Sequence, residues 1–151
     1  MKTSKKIIAG ILACLMLMAA MAISVSAYGG DNDFSFTMNT KGNQACSYSS
    51  DTRYRGTTST KTPWKVNFRV SSEGKKTIMQ YFLAGDELFS KAKLSDYKNV
   101  TEGSGNKYFH AYDDACKRNV KLGVRNNNNT PYEYSVSGYW DEETAKHAFS
   151  D

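Results

Sequence analysis

Apolar and polar positions divide the chain into two unlike parts. From Ile7 to Val25 the residues are apolar but for Ser24, in a run preceded by Lys2, Lys5 and Lys6 and followed by Val25-Ser26-Ala27 and the polar YGGDND. A positive start, an apolar middle and a small-residue site make up a signal peptide, and they predict cleavage after Ala27. About 20 apolar residues would also span a bilayer as an anchor, but the Ala/Ser-rich end favours removal. A lipoprotein acylated at Cys14 would end its apolar run at that cysteine, whereas this one continues for about ten residues.

Beyond residue 27 the pattern changes to strict alternation, which places successive side chains on opposite faces of a sheet. In DFSFTMN, Phe34, Phe36 and Met38 alternate with Ser35, Thr37 and Asn39. In WKVNFRV, Trp64, Val66, Phe68 and Val70 share one face and Lys65, Asn67 and Arg69 the other. Thr77 to Ala84 (TIMQYFLA) is apolar on both faces apart from Gln80, which predicts a central strand or an edge covered by a partner. KYFHAY (107–112), NVKLGV (119–124) and YEYSVSGY (132–139) complete the set.

The intervening segments SSEGKK (71–76), TEGSGN (101–106) and RNNNNTP (125–131) supply the Gly and Asn that tight turns need. The one helical possibility of any length is Ala84 to Lys93, with Asp86 as its N-cap, and it is too short to hold its shape alone. Strands joined by turns, with almost no helix between them, predict an all-β fold. The architecture is an antiparallel β-sandwich or partly closed barrel of about six to eight strands, following a cleaved signal helix. The domains are therefore residues 1–27, the signal peptide, and 28–151, one secreted β domain with its ordered core over about 33–140.

Composition changes once the leader is removed. The whole chain carries 20 Lys+Arg against 15 Asp+Glu, but three of those lysines lie in the leader, so the remainder is close to neutral. Its basic residues are interleaved with acids, which argues against nucleic acid as a partner. Only four leucines remain beside ten tyrosines, seven phenylalanines and two tryptophans, so aromatic contacts carry much of the packing. Two cysteines also remain, Cys46 and Cys116. In an oxidising compartment they allow one bridge, and closing that loop would stabilise the fold by about 4 kcal/mol.

Catalytic chemistry is thinly supplied. His110 shares a predicted strand face with Tyr108 and Tyr112, and His147 lies in the tail; neither belongs to a hydrolase or metal-binding motif. The acid pairs Asp31/Asp33, Asp86/Glu87 and Asp113/Asp114 and the run Asp141-Glu142-Glu143 lack the spacing of a calcium loop and are predicted to be solvated loop charge. No enzyme, cofactor or metal site is expected. The aromatic excess is the feature that hints at a partner: an exposed row would bind sugars or proteins, with Trp64, Tyr134, Tyr139 and Trp140 as the candidate surface.

DNDFSFTM, RYRGTTSTKTPWKVNF and YEYSVSGYWDEET resemble a domain-of-unknown-function family of small secreted proteins from Gram-positive bacteria, often encoded near bacteriocin-type transport genes. The chain also broadly resembles lactococcin-type bacteriocins in being a small exported β domain. The resemblance implies location and size, without catalytic residues to carry over, and relatives without cysteine are expected. Two functions follow as expectations. One is a secreted non-enzymatic protein, bacteriocin-like or accessory to a bacteriocin export system. The other is a cell-wall or carbohydrate-binding module using exposed aromatics. The expected partners are the bacterial cell envelope or another secreted protein, with the membrane touched only through the leader before cleavage.

Overall fold

A computed structural model describes residues 30–39, 45–88, 91–128, 130–145 and 149–150. Ala27 and the rest of the expected leader, and His147, lie outside the described residues. Among the described residues nine strands follow one another: β1 (Asn32–Met38), β2 (Cys46–Tyr48), β3 (Arg53–Arg55), β4 (Trp64–Ser71), β5 (Ile78–Gly85), β6 (Lys98–Thr101), β7 (Lys107–Phe109), β8 (Arg118–Arg125) and β9 (Tyr134–Asp141), with one 3-10 turn at Asp113–Ala115. The protein is all-β, and every strand pairing is antiparallel.

The strands form two sheets. The first runs β1-β9-β4-β7; the second runs β2-β8-β5-β6, with β3 also on β8. The sheets face each other as a sandwich. Phe34, Phe36, Met38, Trp64, Val66, Phe68, Tyr134, Val136 and Trp140 from the first meet Met79, Tyr81, Leu83, Val100, Val120, Leu122 and Val124 from the second. Tyr81 is the hinge of this contact, its ring 5.5 Å from Phe34 and 5.8 Å from Phe68 across the gap.

Alternation in β1, β8 and β9 is as the sequence predicts. β4 departs from it at one point. Its register against β9 slips between Phe68 and Val70, so Arg69 is an extra residue, and the bulge turns Val70 out to 56 % exposure while Ser71 goes in. The strand opposite carries Gly138 there, where a Cβ would lie 1.9 Å from the Asn67 carbonyl oxygen; only glycine permits that approach. Trp64, Val66 and Phe68 keep their common inward face; Val70 does not share it.

The described residues of the helical possibility over Ala84 to Lys93 form a strand end and a bridge back to it. Ala84 and Gly85 complete β5, Gly85 N–H donates to the Ala92 carbonyl (2.8 Å), and Lys93 bridges back to Ala84. The segment is too short to hold a helix alone, and an apolar strand already claims its first residues. Strand β7 likewise stops at Phe109, leaving His110 exposed at its end with its ring stacked on Phe149 (3.5 Å between centroids). Beside it Ser150 N–H donates to the Tyr108 carbonyl (2.7 Å), lying along the edge of β7.

Candidate functional site

The three segments that carry the sequence resemblance close on one another in space. Arg55, at the end of β3, is fully buried and donates to the main-chain carbonyls of Glu142 and of Thr62. Arg53 Nε reaches Glu142 Oε2 at 3.4 Å, Thr57 N–H donates to Glu143 Oε2 at 2.8 Å, and Thr144 N–H donates to the Pro63 carbonyl at 3.0 Å. Lys65 completes the clasp from β4, its Nζ paired with Asp31 and 3.8 Å from Asp141 Oδ2. The run Asp141-Glu142-Glu143 is therefore buried, at 4 %, 2 % and 4 % exposure, and not the solvated loop charge its sequence suggested. It begins at the end of the strand that buries Trp140 and is capped by basic residues 76 or more positions away, a pairing with no local signature.

Burial sets the electrostatics of this clasp. It pushes the Asp141 carboxyl up to about 7, with Glu142 adding to the rise and Lys65 opposing it. Burial also raises Glu142 and lowers Arg55. For Lys65 burial acts downward, but Asp31 and Asp141 outweigh it and hold the ammonium above its ordinary value. These charges lock chain segments together.

The structure places the four candidate aromatics differently from the expectation. Trp64, Tyr134 and Trp140 are 0 %, 2 % and 0 % exposed and belong to the core. Trp64 Nε1–H donates to the His110 carbonyl (3.1 Å), and Tyr134 O–H donates to Asn126 Oδ1 (2.8 Å). Large rings on inward strand positions of a leucine-poor core are needed there as filling. Only Tyr139 reaches solvent, on the outer face of the first sheet. The Arg69 guanidinium sits 4.5 Å over its ring, its hydroxyl donates to Asn106 Oδ1 (2.7 Å), and Asn67 Nδ2 donates to that hydroxyl (2.9 Å).

The disulfide expectation is also overturned. Cys46 and Cys116 are two separate, half-buried thiols. Cys46 pairs opposite Arg125 at the far end of β8, and Cys116 precedes its first residue, Arg118. Eight residues of strand, at about 3.3 Å each, put about 23 Å between those ends, against the roughly 7 Å limit for bridged Cα atoms. Cys116 lies against Arg55, and the Cys46 thiol hydrogen-bonds Tyr48, whose hydroxyl is held above its ordinary value by burial and by that thiol.

An aromatic row does lie on the outer face of the second sheet, from other residues, with Tyr97 exposed, Tyr48 half-buried and Phe82 covered between them. Register places Tyr48 opposite Gly123 and Gly123 opposite Phe82, and Tyr97 follows beside Phe82, just before β6. Phe82 lies over Gly123, where a Cβ would be 2.4 Å from its Cζ. Tyr48 and Tyr97 flank it edge-on, with centroids 6.0 and 4.8 Å away. Four strands about 4.8 Å apart make this a track about 14 Å long.

Cations cover the rings of that row. Arg125 sits 4.6 Å and Lys93 5.0 Å from the Tyr97 centroid, Lys91 lies 5.5 Å over Tyr48, and Lys93 also reaches Tyr112 at 5.8 Å. Each is within cation–π range. Sequence reading missed this row because Tyr48 lies in a three-residue strand and Tyr97 outside any strand. The available signal was the two-sided apolarity of TIMQYFLA: its outward residue, Phe82, needed a cover.

No curated protein and no solved structure is similar enough to the chain to count as a match. Over residues 20–144, ending at the Thr144 that closes the clasp, the sequence fits a family described as protein of unknown function (DUF2712), and the chain belongs to that family.

Proposed function

We propose that the protein is an exported, non-enzymatic binding module of the bacterial cell envelope whose binding face is the tyrosine row on the outer side of the second sheet. The observation that carries this reading is the row itself: Tyr97 and Tyr112, in the segments just before β6 and the 3-10 turn, are 37 % and 38 % exposed, with Phe82 beside Tyr97 and basic side chains around them. Aromatic rings and basic residues collected on one rigid face are what recognition surfaces are enriched in. The leader expected from residues 1–27 supplies the route to the envelope.

The reading is tested by sedimentation of residues 28–151 with purified cell-wall fractions. Retention is expected, with at least a fivefold loss for Tyr97→Ala and a melting temperature within a few degrees of the parent. Equal retention of the variant, or none of either, overturns it. A second reading, an antimicrobial or an accessory of a bacteriocin export system, draws on the resemblance of DNDFSFTM and YWDEET. It predicts slowed growth of related bacteria at micromolar protein; their unaffected growth sinks it.

A further inference from the structure

One end of the first sheet brings an amine and two carboxyls into a single row. Register pairs Asn32 with Trp140 and Trp140 with Val66. One position further along, Asp31 therefore comes beside Asp141, and Asp141 is paired with Lys65. The Lys65 Nζ donates to Asp31 Oδ1 and lies 3.8 Å from Asp141 Oδ2. Tyr108 of β7 is next in the row, opposite Lys65.

The row is dry on the side of the amine and open on the side of Asp31. Lys65 and Asp141 are both buried, and the Lys65 Nζ lies 5.5 Å over the Tyr139 ring. Glu143 N–H donates to Asp141 Oδ1 (3.2 Å), which fixes the middle carboxyl in place. The Asp31 side chain is 49 % exposed. Arg53 and Arg55, the other cations of the clasp, are engaged with Glu142 and with main-chain carbonyls. A salt bridge to Lys65 needs one carboxylate, and this row supplies two. The second, Asp141, holds a proton up to about pH 7 because it is buried, with Asp31 adding to the rise.

We propose that Lys65 and Asp31 condense into an intramolecular amide with Asp141 as the proton carrier, a covalent bond joining the start of β1 to β4 across β9. The ammonium first gives one proton to the Asp31 carboxylate, leaving a neutral amine against a carboxylic acid. The Nζ–Cγ bond then forms. Asp141 passes its proton to the departing Asp31 oxygen and takes one back from the nitrogen. The Cγ–O bond breaks, one water leaves through the open side of Asp31, and Asp141 ends as it began. No oxidant, reductant or further reactant enters. Groups held against each other by a fold react as if at concentrations of about 10⁵–10⁸ M, which offsets the unfavourable condensation of separate molecules in water. The bond is independent of the tyrosine row, which lies on the other sheet.

The inference is tested by mass spectrometry of the full chain, purified folded and kept at neutral pH. The intact protein should be one water lighter than its sequence requires. Trypsin should leave Lys65 uncut, and the peptide ending at Lys41 should be found joined to residues 62–69. Asp31→Ala and Lys65→Met should keep their full mass. Asp31→Asn should close by losing ammonia in place of water. Asp141→Asn, with its near-ultraviolet spectrum checked against the parent, should slow closure about a hundredfold or more, the usual contribution of a positioned proton donor. A parent chain of full mass after days in the folded state is an ion pair only and overturns the inference. So does a water lost elsewhere than between these two side chains, or a folded Asp141→Asn that closes as fast as the parent.

Discussion

The ring of Phe82 lies so close over Gly123 that a methyl group at that glycine would stand 2.4 Å from its Cζ atom. That approach seats Phe82 at 2 % exposure on the outside of a sheet and lets Tyr48 and Tyr97 close on it from either side. Gly123→Ala should therefore lift the ring and cost about 1–3 kcal/mol, as overpacking does. The loss is read as an earlier urea midpoint together with a changed near-ultraviolet tyrosine spectrum. An unchanged midpoint would show that the ring does not rest there.

Asp141 makes stability depend on pH in a particular direction. Its carboxyl titrates near 7 in the fold, against an ordinary value of 3.8. The folded chain thus holds the proton more tightly than the unfolded chain, and protonation stabilises the fold. That stabilisation is complete below about pH 4 and is lost as pH rises through about 7. Between pH 5 and pH 8 the change is about 2–3 kcal/mol from this group, and Glu142, also raised by burial, acts in the same sense. Urea midpoints should fall over this range in the parent and much less in Asp141→Asn; parallel profiles would refute the assignment.

Arg55 bonds two main-chain carbonyls beside the buried Glu142 and Glu143. Arg55→Leu should destabilise by about 3–5 kcal/mol, the usual result of breaking a buried charged contact from one side. Arg55→Lys should rescue little, since one ammonium cannot reproduce a fork of donors. Thermal unfolding of the two variants decides the point, and full rescue by lysine would show that charge alone matters.

Trp140→Ala should behave as a core deletion, costing about 3–5 kcal/mol, because the side chain is fully buried. Tyr97→Ala should leave the melting temperature nearly intact. Comparing the two by thermal unfolding separates the aromatic residues that build the sandwich from those that decorate it. A stable Trp140→Ala protein would contradict the burial.

The contrast shows what the sequence could and could not convey. Long strands with one wet face announce themselves: the alternation of β1, β8 and β9 was legible, although β9 runs over Tyr134–Asp141 instead of 132–139 and takes in Asp141. The bulge at Arg69 was not, because a single inserted residue leaves WKVNFRV alternating while reversing the face of everything after Phe68. Strands β2, β3 and β6 have three or four residues, too few for a period to register, and they are where the aromatic row and the clasp are anchored. Which tyrosines face outward depends on which strand lies beside which. That is information of strand order, and no local window holds it.

Both thiols should titrate with an aromatic disulfide reagent in the folded chain of residues 28–151 without prior reduction, and added reductant should leave its melting temperature unchanged. A mass lower by about two hydrogens, restored by reductant, would demonstrate the bridge that the geometry of β8 forbids.

The separation of Cys46 from Cys116 also gives the molecule a native ruler. Two reporter groups attached there would sit at opposite ends of one central strand, about 23 Å apart, with Cys46 beside the tyrosine row and Cys116 beside the ionic clasp. A spin-label distance that stays fixed while a cell-wall fraction is added would describe a rigid platform. One that lengthens would reveal that occupying the face loosens the clasp at the far end.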